Sequence, residues 1–286
     1  MLISSSAGIR DSALTNHGVL QAERLGQYLA RRGLRFTHLF SSDLQRALKT
    51  AEAIGACRSQ QSEKAGKQLQ VKQLPVLREQ DFGFYEGKPF YARPTDSKKT
   101  GKENHRSQHS DEPGFQDVES KESMTARADG FVHDHLLPIL CRDTGSREAT
   151  IAVVSHGIIL NHLWRSILKL FAQRTVTLAP GLTFGGGGSG TALEYLGGWS
   201  NTGYLELDMQ PVLTAKEPAV SESETTDSPT TQTDGRTPLS GLRMVIKAVN
   251  GKEHLQGLKR TRGVSSEKHD QGQTKIDGFF KKGKVG

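Results

Sequence analysis

Twice in this chain a short apolar run passes straight into a helical pattern, and a chain punctuated in that way has few folds open to it. Ile151-Ala152-Val153-Val154-Ser155 has the unbroken apolar character of a strand buried on both faces, and residues 158–170 follow it as a helix. Residues 36–40 read as a second strand that ends in Ser41-Ser42-Asp43, where a serine or the aspartate can cap a helix. The inward face of that helix is Leu44, Ala47, Leu48, Ala51 and Ile54. Ahead of both, Val19, Ala22, Leu25 and Leu29 recur at helical steps up to a stop at Gly33. Residues 71–74 add a strand, and a further helix from about Glu122 turns Met124, Ala128, Phe131, His135 and Leu136 to the core, with Pro138 near its end. Such alternation predicts an α/β three-layer sandwich around a mainly parallel sheet.

The rest of the chain differs in composition. From about Pro211 it turns rich in Ser, Thr, Pro and Glu, then basic, with few large apolar residues. That composition places the folded domain at 1–210 and predicts a disordered tail over 211–286. Residues 92–120, crowded with polar and charged side chains, read as a long surface insertion. The net charge of +7 belongs to the tail, because residues 241–286 carry 11 basic against 4 acidic side chains and leave 27 of each sign before them. A domain face that tracks nucleic-acid phosphates is therefore not expected, nor is sequence-specific nucleic-acid binding. Two cysteines, Cys57 and Cys141, are too few for a disulfide scaffold, and residues 1–6 lack the regions of a signal peptide. No apolar run approaches the roughly 20 residues that span a bilayer. The expectation is an intracellular protein, cytoplasmic or nuclear, with no membrane partner.

Three residues stand where chemistry is possible. His156 lies between the strand at 151–155 and its helix, beside Gly157, and ligands of open α/β sheets bind at such carboxyl ends, where a helix N-terminus favours anions. Arg46 occupies the same place after the strand at 36–40, and an arginine there can hold a phosphate bidentately. Glu79, within 77–87, is a candidate general acid. Each also has an ordinary reading: a strand-capping histidine, a solvated helix charge, a loop carboxylate. The glycines at 185–188 and 190 do not make a phosphate cradle, since no Gly-Lys-Ser/Thr follows and no strand leads into them.

Taken in order, Arg10-Asp11-Ser12-Ala13-Leu14-Thr15 with Gly18 and Gln21-Ala22, Ser41 through Ala47 with Thr50-Ala51, Leu77 through Gly87, and Val154-Ser155-His156-Gly157 resemble the histidine phosphatase (phosphoglycerate mutase-like) superfamily over roughly residues 8–208. The resemblance implies that Arg46 binds phosphate, that Glu79 donates the proton to the leaving oxygen, and that His156 is the second histidine of the pocket. The chemistry it implies is phosphoryl transfer through a phosphohistidine, on a phosphorylated small molecule, with no metal or organic cofactor because side chains supply the cations. The family's nucleophile lies in an Arg-His-Gly segment at the end of the first strand, and no Arg-His-Gly occurs in this chain. The expectation is therefore a sheet without its first strand, a truncated or misassigned start, and little or no phosphatase activity in this chain. Whether it is an enzyme or a non-catalytic adaptor stays open.

In the tail, Gln273-Thr274-Lys275-Ile276-Asp277-Gly278-Phe279-Phe280 resembles the box that binds the sliding clamp (PCNA). One helical turn would set Ile276, Phe279 and Phe280 together as an apolar plug, with Gln273 left to hydrogen-bond.

Overall fold

The computed structural model describes residues 8–59, 69–87, 106–107, 109–141, 149–182, 193–212, 239 and 241–258. Helix α1 spans Asn16–Arg31, where the Thr15 side chain caps the start by accepting from the Gly18 N–H and Gly33 closes the exit at φ +78°. Strand β1 (His38–Ser41) leads into α2 (Gln45–Ser59), and β2 is Val71–Gln73. Helix α3 (Lys121–Phe131) continues through a π-turn, Val132–Leu136, into a last turn at Leu137–Leu140. Pro138 has no N–H to continue the ladder, and just before it the Leu137 N–H reaches five residues back to Val132 O. Strand β3 (Ile151–Val154) feeds α4 (Gly157–Leu168), and β4 (Val176–Leu178), β5 (Tyr204–Pro211) and β6 (Leu242–Gly251) follow.

Strands β2, β1 and β3 form a parallel sheet in that order, with Leu39 level with Val71 on one side and Ala152 on the other. The pleat sends alternate residues to opposite layers. Ala152 and Val154 join Leu25, Leu29, Phe36 and Ile54 under α1 and α2, whereas Phe40, Ile151 and Val153 join Met124, Ala128, Phe131, Ile159, Leu163 and Trp164 under α3 and α4. The layered α/β architecture with parallel strands is thus as the alternating pattern predicts. A second sheet, ordered β4-β6-β5, pairs β6 parallel to β4 and antiparallel to β5.

Two expectations are corrected. The strand at 151–154 is only partly buried, and the deeply buried one is β1, because β1 is central and carries Leu39 and Phe40. The region 211–286 is also not all without structure, since β6 and a 3-10 turn at Glu253–Leu255 lie inside it. Met244 and Ile246 point inward and are fully buried, so a period-two apolar pattern sits beneath Arg243 and Lys247. Residues 259–286, including Gln273, Ile276, Phe279 and Phe280, lie outside the described residues.

Helices α1 and α2 approach closely at Gly26, where an added Cβ would stand 2.5 Å from the Ala53 carbonyl oxygen. Gly26→Ala should therefore destabilise the fold by about 1–3 kcal/mol through overpacking, although alanine is the better helix former. A lowered urea midpoint with an unchanged m-value is the expected reading.

Candidate active site

The site is assembled where β1 and β3 end. Ser41 and Ser42 are wholly buried, and Ser42 Oγ accepts from the Leu44 N–H (3.2 Å) while Asp11 Oδ1 accepts from the Gln45 N–H (2.8 Å). These contacts satisfy the first amides of α2 and set Arg46 in its first turn. From there Arg46 donates to Gly8 O (2.6 Å) and Arg10 O (3.0 Å). Burial makes its guanidinium easier to deprotonate than usual, opposed by the negative charges of Glu79, Asp11 and Glu86.

At the end of β3, His156 is the N-cap residue of α4 in extended geometry, yet its ring does not cap the helix. The carboxylate of Glu79 does so instead, accepting from Ile158 N (3.2 Å) and Ile159 N (3.2 Å) as well as from Gln80 N (3.0 Å). Glu79 is only 5% exposed. Burial raises its proton affinity, and the three amides and the Arg46 charge pull the other way without cancelling it. A carboxyl that releases its proton less readily than an ordinary one is suited to proton donation.

His156 is itself buried, and among the described residues its Nε2 has no hydrogen-bond partner. Burial first, then the Arg46 charge, push its pKa down to about 3, with Asp43 opposing. The ring is therefore neutral at neutral pH, a donor or acceptor rather than a cation. Asp43 is engaged by Arg78, whose Nε donates to Oδ1 at 2.8 Å.

The loop carrying Glu79 is fastened at its far end by Glu86, which accepts from the N–H groups of Gly8, Ile9, Arg10 and Phe82. Gly87 follows at φ +73°, where an added Cβ would strike the Arg10 guanidinium. The structure thus brings Arg46, Glu79 and His156 into one electrostatic group. A guanidinium, a neutral imidazole and a carboxyl of raised proton affinity together can hold an anion and deliver a proton to it.

Sequence reasoning missed three residues that build this site. Glu86 lies within 77–87 with no sequence signal that marks a task for it, and Glu119 falls in what reads as surface insertion. Arg127 was an unremarked charge on α3. Its carboxylate partner Glu119 lies eight residues before it, but the carbonyls of Val76, Arg78 and Glu79 stand 48 to 51 residues away and only folding brings them to it. The other histidines behave more plainly: His133 is exposed, and His135 packs against Phe40 and Phe131. His17 is buried in the first turn of α1. Among the described residues no group of three or more His, Cys, Asp or Glu could hold a metal ion, and no helix is long and apolar enough to cross a membrane.

Residues 5–182 match the sequence model of the histidine phosphatase superfamily, branch 1. A probable phosphatase of Schizosaccharomyces pombe is 30% identical over 281 residues, covering 96% of this chain and 74% of the relative. The fructose-2,6-bisphosphatase TIGAR of Xenopus laevis is 35% identical over 91 residues, about a third of either protein. A mycobacterial glucosyl-3-phosphoglycerate phosphatase, solved with inorganic phosphate, shares the fold at a TM-score of 0.51 and 17% identity, covering 88% of this chain and 94% of that one.

The depressed His156 pKa makes a pH prediction. The unfolded chain takes up a proton near pH 6.5 that the folded chain refuses until about pH 3, so this residue subtracts stability as pH falls below 6.5. The slope is at most about 1.4 kcal/mol per pH unit. Chemical denaturation between pH 7 and 5 should show wild type losing stability relative to His156→Asn, and parallel curves would refute the assignment.

Proposed function

The chain belongs to the histidine phosphatase superfamily, and from that premise we propose that the group at the ends of β1 and β3 is a phosphomonoester pocket of the phosphatase type. Arg46 and His156 hold the equatorial oxygens of a phosphoryl group, and Glu79 protonates the departing oxygen. The observation that carries this reading is the seat of Glu79: a buried, proton-retaining carboxyl on the first turn of α4, beside a neutral His156 and within the field of Arg46. A phosphorylated small molecule is the substrate class, in keeping with the fructose-2,6-bisphosphatase relatives.

Turnover through a phosphohistidine also needs a nucleophilic histidine, and no Arg-His-Gly segment stands in these 286 residues. Residues 8–258 supply the phosphate-binding groups and the acid, and the chain as written binds phosphoesters while turning them over slowly. Inorganic phosphate or tungstate should raise its Tm in proportion to the logarithm of concentration above Kd. Arg46→Ala and His156→Ala should each weaken that binding about tenfold or more, while p-nitrophenyl phosphate is hydrolysed only near background. An anion-independent Tm, or equal shifts in both variants, would remove the phosphate pocket. Brisk hydrolysis abolished by His156→Ala would show that a nucleophile is present after all.

A second reading concerns the tail and rests on one feature of sequence: two adjacent phenylalanines, Phe279 and Phe280, at the spacing of a clamp-binding box with Gln273 and Ile276. We propose that this segment tethers the protein to the sliding clamp (PCNA). A peptide of residues 268–286 titrated against the clamp should bind, and the same peptide with both phenylalanines changed to alanine should not. Equal binding by the two would discard the tether.

A further inference from the structure

Glu79 stands on a loop, and a loop carboxyl keeps a buried seat only if its backbone is held. Here four successive carbonyls are each taken by a side chain from another element. Arg127 on α3 donates through Nη1 to Val76 O (2.8 Å) and Arg78 O (3.0 Å), and through Nη2 to Glu79 O (3.4 Å). Ser155, at the end of β3, donates to the remaining one, Leu77 O, at 2.6 Å. Arg127 is in turn aimed by Glu119, whose two carboxylate oxygens accept from Nε (2.8 Å) and Nη2 (2.7 Å). Glu119 Oε2 also accepts from the Asp81 N–H (3.2 Å), the Glu119 N–H donates to Asp81 O (2.7 Å), and Gln80 Nε2 donates to Glu119 O (2.8 Å).

From this geometry we propose that Arg127 is a positioning residue, which with Glu119 holds the 76–81 loop so that the Glu79 carboxyl stays seated on the first turn of α4. The proposal deepens the reading of Glu79 as the acid and names what keeps it in place. The planar fork of the guanidinium suits the task, because it can serve Glu119 bidentately on one edge while its other donors reach loop carbonyls. Lysine has one nitrogen and cannot span both.

The charged and titratable groups around Glu79 are Arg46 from α2, His156 before α4, and the Arg127–Glu119 pair from α3 and the segment before it. Arg127 also acts electrostatically on His156. Loss of Arg127 therefore removes a cation from the neighbourhood, and any fall in the Glu79 pKa must come from loosened burial, since losing a nearby positive charge acts in the opposite sense.

The test reads the amides that Glu79 caps, in the full chain, and does not depend on turnover. Native-state hydrogen exchange should show Ile158 and Ile159 exchanging about tenfold faster or more in Arg127→Ala than in wild type, with Leu163 and Trp164 deeper in α4 unchanged. Arg127→Lys should accelerate the same two amides less, and Glu119→Gln should fall between Lys and Ala. In parallel, a 13C-carboxyl titration identifies Glu79 by the signal missing in Glu79→Gln, and in Arg127→Ala its raised pKa should fall toward the ordinary carboxylate range as the seat opens to water. Unchanged exchange at Ile158 and Ile159, or acceleration shared equally by all of α4, would overturn the proposal. If Arg127→Ala does not fold, the Lys variant decides by the same criterion. A wild-type Glu79 that titrates as an ordinary carboxylate, together with faster Ile158 and Ile159 exchange in Arg127→Ala, would remove the acid assignment and leave the positioning role standing.

Discussion

A single carboxylate joins the two halves of the site. Glu79 accepts from the second and third residues of α4 and from its own neighbour Gln80, so one side chain satisfies helix amides that His156 leaves uncapped. Two opposing effects meet on it. The amides and the Arg46 guanidinium favour the charged form, whereas burial disfavours it, and burial prevails. The result is a group held tightly by hydrogen bonds yet ready to keep a proton.

That balance depends on the surroundings being rigid. A less buried carboxyl would regain water and lose its raised proton affinity, and a less well-held one would leave the first turn of α4 open. The loop is therefore fastened at both ends: Arg127 and Ser155 take the carbonyls of residues 76–79, and Glu86 collects four amides from residues 8–10 and 82. Arg46 closes the ring by donating to the carbonyls of Gly8 and Arg10. Charged side chains here act mostly on backbone, where a partner of fixed direction gives them positional meaning.

His156 follows the same logic from the opposite sign. Buried within the field of Arg46, its imidazole stays neutral, and a neutral ring there adds hydrogen-bonding capacity without adding charge. The formal charges before residue 241 balance, so positive charge at this position comes from single placed side chains such as Arg46 and not from a basic domain.

Much of this was legible in the residues. The apolar spacing of α1, α2 and α3, the strand-to-helix junctions at Ser42 and Ser155, and the placement of Arg46 and His156 just past strand ends all follow from local rules of period and capping, which act over a few residues. Strand β6 escaped because its apolar run Met244-Val245-Ile246 is short, flanked by Arg243 and Lys247 and set in a region of tail-like composition, and its pairing partners lie on β4 and β5. By itself the sequence determined the layered α/β plan, the superfamily and the placement of Arg46, Glu79 and His156 as the residues to look at. Only the tertiary structure decided that β1 and not β3 is the buried central strand, that Glu79 caps α4, and that Arg127 and Glu119 hold it there. Those outcomes rest on burial and on hydrogen bonds between residues that sequence separation keeps apart, and neither has a local signature.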